Sequence, residues 1–109
     1  MKKILAAVLL MPCMAYAEFL TGNQLLQRIR SDEVVERMVA LGYIMGVSDA
    51  RQSVSHCAGA QVTAGQTRDV VRQYLERNPA NRDWSADLLI TFALAEVWPC
   101  KNQNNGKRS

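Results

Sequence analysis

The chain has 109 residues, 49% of them hydrophobic and 21% charged, and a net charge of +3. That length fits one small domain, and the composition excludes a disordered polyelectrolyte, a collagen-like repeat and a mucin-like stalk. The positive charge lies at the two ends: Lys2 and Lys3 stand near the start, Lys101, Lys107 and Arg108 follow Cys100, and residues 18–100 sum to −2. All eight basic residues of that central stretch are arginines, interleaved with ten carboxylates. No basic stripe suited to a nucleic acid is visible.

Taken in chain order, the first element is a leader. Met1-Lys2-Lys3 is positive, residues 4–11 are apolar, and Ala15-Tyr16-Ala17 supplies small residues at the positions a signal peptidase reads. The apolar run is far short of the roughly 20 residues needed to cross a bilayer, and Pro12 follows it. Met11-Pro12 is also a poor approach to a lipoprotein cysteine at Cys13. The pattern predicts a cleaved signal peptide at 1–17, leaving 92 residues in a bacterial periplasm with no membrane attachment. Cys13 departs with the leader, and the two remaining cysteines have one possible pairing in an oxidising space. A Cys57 to Cys100 disulfide is expected, contributing about 4 kcal/mol by restricting the unfolded chain. A zinc site built on His56, Cys57 and Cys100 is the competing reading. Adjacent residues rarely converge on one ion, and no fourth ligand stands at a usual spacing.

Four helical segments follow, with no convincing strand. Thr21-Gly22-Asn23-Gln24 is a capping box opening a short helix through Leu25, Leu26 and Ile29. Ser31-Asp32-Glu33 starts a second, with a cap and two carboxylates in its first turn. Two apolar series recur there at helical spacing, Val34, Met38, Leu41 and Met45, and Val35, Val39, Gly42 and Gly46, so this helix is expected to be buried on two sides. Its small residues would let another helix or subunit approach closely, and a kink near Gly46 is expected. Residues 53–62 read as a loop held by Cys57, with His56 packed near the disulfide.

Thr63-Ala64-Gly65-Gln66 is a second capping box, opening a helix with Val70, Val71, Tyr74 and Leu75 on one face. Asn78-Pro79 ends it, and a polar connector follows. Asp83 or Ser85 caps a last helix, in which Trp84, Leu88, Leu89, Phe92, Ala95 and Trp98 are expected to supply most of the large apolar area; Tyr43 and the last helix's aromatics are assigned to the core. The tail, 101–109, is polar and expected to be disordered. The chain as a whole reads as an all-α bundle of four to five helices.

Catalytic chemistry is sparse. His56 is the single histidine, and no nucleophile sits in a strained turn around it. Gly42-x-x-x-Gly46 lacks the lysine and the preceding strand of a phosphate loop. Asp83 and Asp87 read as a cap and a solvated face rather than a glycosidase pair, which needs a cleft that so small a core can hardly enclose. No catalytic residue, metal or cofactor is assigned, and the chain reads as a binding or inhibitory module rather than an enzyme.

An ordered set of residues then carries a resemblance. Phe19-x-Thr21-Gly22-Asn23-x-Leu25-Leu26, Gly42-Tyr43-Ile44-x-Gly46-Val47-x-Asp49-Ala50, Cys57, Val62-Thr63-x-Gly65-Gln66, Val70-Val71-x-x-Tyr74-Leu75-x-x-x-Pro79, Ala93-Leu94 and Trp98-Pro99-Cys100 resemble the Rap/Tai family of type VI secretion immunity proteins. The resemblance covers residues 19–100, within a domain taken as 18–100. It implies a periplasmic, all-helical, commonly dimeric protein that binds and blocks a peptidoglycan amidase effector. Two further cysteines common in that family would fall at Ile29 and Ala40 and are absent together, as when one disulfide is lost as a unit.

The resemblance also implies that an exposed loop and a helix of the dimer cover the amidase cleft. The connector is the candidate loop, with Asn78, Asn81, Arg82, Asp83 and Trp84 as contacts. The second helix is the candidate homodimer surface, through Gly42, Met45 and Gly46. The alternative function, from a different class, is a small periplasmic chaperone of the acid-stress type, which would protect many clients at low pH instead of blocking one toxin.

Overall fold

Capping residues set where the helices of this chain begin, and the computed structural model, which describes residues 19–101, places them in the order α1 (Gly22–Ile29), α2 (Val34–Arg51), α3 (Ala64–Arg77), a 3₁₀ turn (Pro79–Asn81) and α4 (Ala86–Val97). The fold is all-α, and each helix packs against the other three. The expected leader at 1–17 and all but the first residue of the expected disordered tail lie outside the described residues.

Both capping boxes form. The Thr21 hydroxyl accepts the Gln24 amide N–H at 3.2 Å while the Gln24 side chain accepts the Thr21 N–H at 2.9 Å, and Thr63 and Gln66 do the same for α3 at 3.1 and 2.7 Å. The second helix starts differently from expectation. Ser31 Oγ accepts the Glu33 N–H, but Glu33 is the N-cap and caps without a side-chain bond. Asp32 and Glu33 therefore precede the helix, and Glu36 is the acidic residue of its first turn. Ser85, not Asp83, caps α4 by accepting the Leu88 N–H.

The core consists of Leu25, Leu26 and Ile29 from α1, Ala40 and Ile44 from α2, Val71 and Leu75 from α3, and Ala86, Leu89, Ile90, Ala93 and Leu94 from α4. Two expectations fail here. Along α2 the buried line is Ala40, Ile44 and Ser48; of the two apolar series, Leu41 and Met45 are half-buried and the other six residues are exposed, Val35 by 70%. The helix runs unbroken through Gly46. Leu88 and Phe92 of α4, and Trp84 just before it, lie exposed, Phe92 by 41%; Trp98 and Tyr43 pack only partly against the core.

One cause covers both failures. These helices are apolar around most of their circumference, so periodicity alone leaves their rotation open. Close packing settles it by turning small residues inward. Ala40, Ala86 and Ala93 are all buried, and bulky side chains are left outside. Gly22 is the tightest of these approaches: a Cβ there would stand 2.5 Å from Leu89 Cδ1 and 2.9 Å from the Arg82 carbonyl oxygen.

The loop between α2 and α3 is closed by the expected Cys57–Cys100 disulfide and by the Cys57 N–H donating to the Trp98 carbonyl at 2.8 Å. Inside it His56 is fully buried, with Nε2 3.5 Å from Ser48 Oγ and Nδ1 without a partner among the described residues. Burial holds its pKa below the ordinary histidine value, because a buried imidazolium would lose its hydration. Ser53, which turns the chain toward this loop, has φ of 70°, a left-handed conformation that costs a non-glycine residue energy.

Two outcomes are expected. Gly22→Ala lowers stability by about 1–3 kcal/mol through overpacking, read as a lower urea midpoint at unchanged slope. His56 takes up its proton more readily in the unfolded chain, so its contribution to stability is complete above about pH 6.5, falls as the pH drops below that value, and levels off beneath the lowered folded pKa. Urea unfolding at pH 7.5 and 5.5 should show this loss in the natural chain and a smaller one in His56→Gln.

Candidate functional site

The connector between α3 and α4 is built as a rigid knuckle. Asn78 ends α3: its N–H and its Nδ2 both donate to the Tyr74 carbonyl, at 3.1 and 2.8 Å. Pro79 opens the 3₁₀ turn, and the N–H groups of Asn81, Arg82 and Trp84 donate to the carbonyls of Asn78, Pro79 and Asn81. The knuckle is then bonded to the start of α1. Gly22 N–H donates to the Trp84 carbonyl at 2.9 Å, Asn23 N–H to the Arg82 carbonyl at 2.8 Å, and Ala86 N–H to the Leu20 carbonyl at 2.7 Å. The first N–H groups of a helix have no partner within it; here the connector supplies carbonyls for two of them.

The five connector residues singled out in the sequence take different positions. Asn78, Asn81 and Arg82 are half-buried, whereas Asp83 and Trp84 are exposed, beside exposed Pro79 and Ala80. Arg82 turns inward: Nη1 donates to the Leu75 carbonyl at 3.2 Å, and Nε is buried without a partner among the described residues. Asp83 precedes α4 rather than pairing with Asp87, whose carboxylate receives Arg51 at 3.1 Å instead. Trp84, 44% exposed, begins a stripe that Leu88 and Phe92 continue at i+4 and i+8. Both are among the residues expected to supply the large apolar area of the last helix, and Phe92, as one of its aromatics, is expected in the core. The available signal was that a helix apolar on nearly every side, in so small a domain, leaves part of its apolar surface without cover.

The second candidate surface lies on α2. Gly42 and Gly46 are exposed and Met45 is half-buried, and a Cβ at either glycine would meet nothing within 4 Å. Val34, Val35, Met38 and Val39 make the N-terminal half of this outward face bulky, and Gly42, Gly46 and Ala50 make its C-terminal half flat. Beside it, a shallow groove between α2 and α4 is lined by Tyr43, Gly46, Ala50, Val54 and Asp87 among others. Burial, and then the Asp87 carboxylate, push the Tyr43 phenol above its ordinary pKa, so it stays a protonated hydrogen-bonding group.

Chemically these surfaces are suited to contact. The buried His56 reaches a serine hydroxyl but not a cleft, and among the described residues no group of three or more His, Cys, Asp or Glu could hold a metal ion. Nor, among them, is any helix long and apolar enough to cross a membrane.

Comparison with known proteins adds a family. No curated protein matches the chain. The family model described as Rap1a immunity proteins matches residues 21–100, a span running from the cap of α1 to the second cysteine of the disulfide and containing both capping boxes, the connector and the outward face of α2. The chain belongs to the Rap1a immunity protein family.

Proposed function

We propose that this protein is a periplasmic immunity protein of type VI secretion that binds a peptidoglycan amidase effector, covers its cleft with the connector, and acts as a homodimer through α2. Family membership over residues 21–100 is the observation that carries the immunity role. An immunity protein acts by binding one cognate effector, and the rigid knuckle suits such work because little of it has to be ordered on association. Its outward residues Pro79, Ala80, Asp83 and Trp84 combine a proline-set backbone, a charge and an exposed indole. Tryptophan is among the side chains that most often dominate interface energetics.

The export signal expected from residues 1–17 favours the amidase reading, since peptidoglycan is assembled outside the cytoplasm and an inhibitor of its hydrolysis belongs in the same compartment. For the dimer, the shape of α2 is the support. Two copies crossing antiparallel near Gly42, the middle of the helix, would each set Val35, Met38 and Val39 on the other's Gly46 and Ala50. Such a pairing is self-complementary, as a two-fold interface must be.

Two experiments test this. The mature chain, mixed with the peptidoglycan amidase encoded beside its gene, should abolish peptidoglycan cleavage at one site per active centre, and Trp84→Ala should weaken the complex by about 2 kcal/mol or more, as an interface anchor does. Cleavage unaffected by excess protein would overturn the proposal. In sedimentation at tens of micromolar, the natural chain should run as a dimer and Val35→Glu as a monomer with an unchanged circular dichroism spectrum; a monomeric natural chain removes the dimer.

A further inference from the structure

The eight arginines among the described residues divide by partner. Arg28 pairs with Glu36, Arg30 with Glu76, Arg51 with Asp87, Arg68 with Asp69, Arg72 with Asp69 and Glu76, and Arg77 with Glu96. Arg37 and Arg82 donate to backbone carbonyls instead, those of Ser31 and Leu75. Arg37 is exposed and water can complete its bonding; Arg82 is half-buried. It is thus the one arginine here that combines partial burial with no carboxylate among the described residues; its Nε is enclosed and out of reach of any ligand, so its Nη atoms are the donors that can serve one. A half-buried guanidinium with donors left over is costly, and a carboxylate, which accepts two parallel N–H bonds, relieves that cost best.

Beside Arg82 the surface is open. A cleft of about 520 Å³ between α1 and the connector is lined by Arg82, Arg30, Asn23, Gln27, Ser31, Asp32 and Leu26. Arg30 adds a second guanidinium, already holding Glu76 at 3.0 Å, and Asn23 and Gln27 add exposed amides. Asp32 is the one carboxylate on the wall and makes no ion pair with Arg82. The cleft adjoins the connector, whose Arg82 lines it and whose Arg82 carbonyl is bonded to Asn23.

We infer that this cleft is a carboxylate-binding site that receives an acidic side chain of the effector, with Arg82 as the principal donor and Asn23 and Gln27 completing the hydrogen bonds. The inference rests on the immunity reading for its partner but not for its chemistry. Trp84, outward on the same connector, then gives the complex its apolar contact, and the cleft gives it register, because a half-buried cation disfavours a partner that brings no anion to it.

The test has two arms. In the first, the mature chain is titrated with N-acetyl-aspartic acid amide, which carries one carboxylate, and separately with inorganic phosphate at equal ionic strength, while the Arg82 Nε–H and the Asn23 and Gln27 amide resonances are followed. Saturable shifts with the carboxylate, weaker ones with phosphate, and their loss in Gln27→Glu are expected, since a carboxylate at that exposed position would occupy the guanidinium from within the chain. Shifts that do not saturate, that survive Gln27→Glu, or that favour phosphate overturn the inference. In the second arm, calorimetry with the inhibited amidase should show about ten- to hundredfold weaker binding for Gln27→Glu and for Arg82→Lys, at unchanged helix content for Gln27→Glu. Equal affinities overturn the cleft and leave the immunity reading standing. An amidase that fails to bind even the natural chain removes that reading, and the titration still decides the cleft.

Discussion

The structure depends on how the start of α1 is satisfied. A helix of eight residues is too short to persist by itself, and its first N–H groups need acceptors. The Thr21 and Gln24 side chains serve locally, and the carbonyls of Arg82 and Trp84 serve from sixty residues further along the chain. That long-range bonding holds the connector against α1, brings Gly22 so close to the Arg82 carbonyl and Leu89 that a Cβ there would force a shift, and fixes the direction in which Pro79, Ala80, Asp83 and Trp84 project. Arg82 sits at the junction with its carbonyl on α1 and its guanidinium on the end of α3. The same bonds that complete the fold therefore hold the candidate contact residues in place.

The other end of the domain is held differently. There the Cys57–Cys100 bridge, the Cys57 to Trp98 backbone bond and the buried His56 gather the long loop against the end of α4. An uncharged imidazole serves as packing, and its missing hydrogen-bond partner at Nδ1 is tolerable only while it stays neutral. The surface ion pairs contribute less, since each is substantially solvated; their main consequence is to leave Arg82 conspicuous.

A domain this small cannot cover all the apolar surface its helices carry. α2, 18 residues and about 27 Å long, buries one narrow line, flanks it with half-buried residues and leaves an apolar face exposed, and α4 turns Leu88 and Phe92 outward. Such surfaces are characteristic of proteins that complete themselves against a partner. The two outward faces differ in kind: α2 is bulky at one end and flat at the other, while the knuckle and α4 present an indole, a phenyl ring and a polar cleft.

Much of this was legible in the sequence. Capping boxes are local hydrogen-bond motifs, so Thr21 and Thr63 marked the starts of α1 and α3; once Cys13 is set aside with the expected leader, the two cysteines left have one pairing; and the ordered motif set pointed to the family. The rotation of α2 and α4 was not legible, because residues such as Val35 and Phe92 are as apolar as Ile44 and Leu89, and only packing against the other helices decides which are covered. Nor could the sequence distinguish Arg82, turned inward, from Asp83 and Trp84, turned out, since all three lie within one turn of chain. Local hydrogen bonding and covalent chemistry are written residue by residue; which face is buried, and which arginine lacks a counter-charge, exist only once distant segments meet.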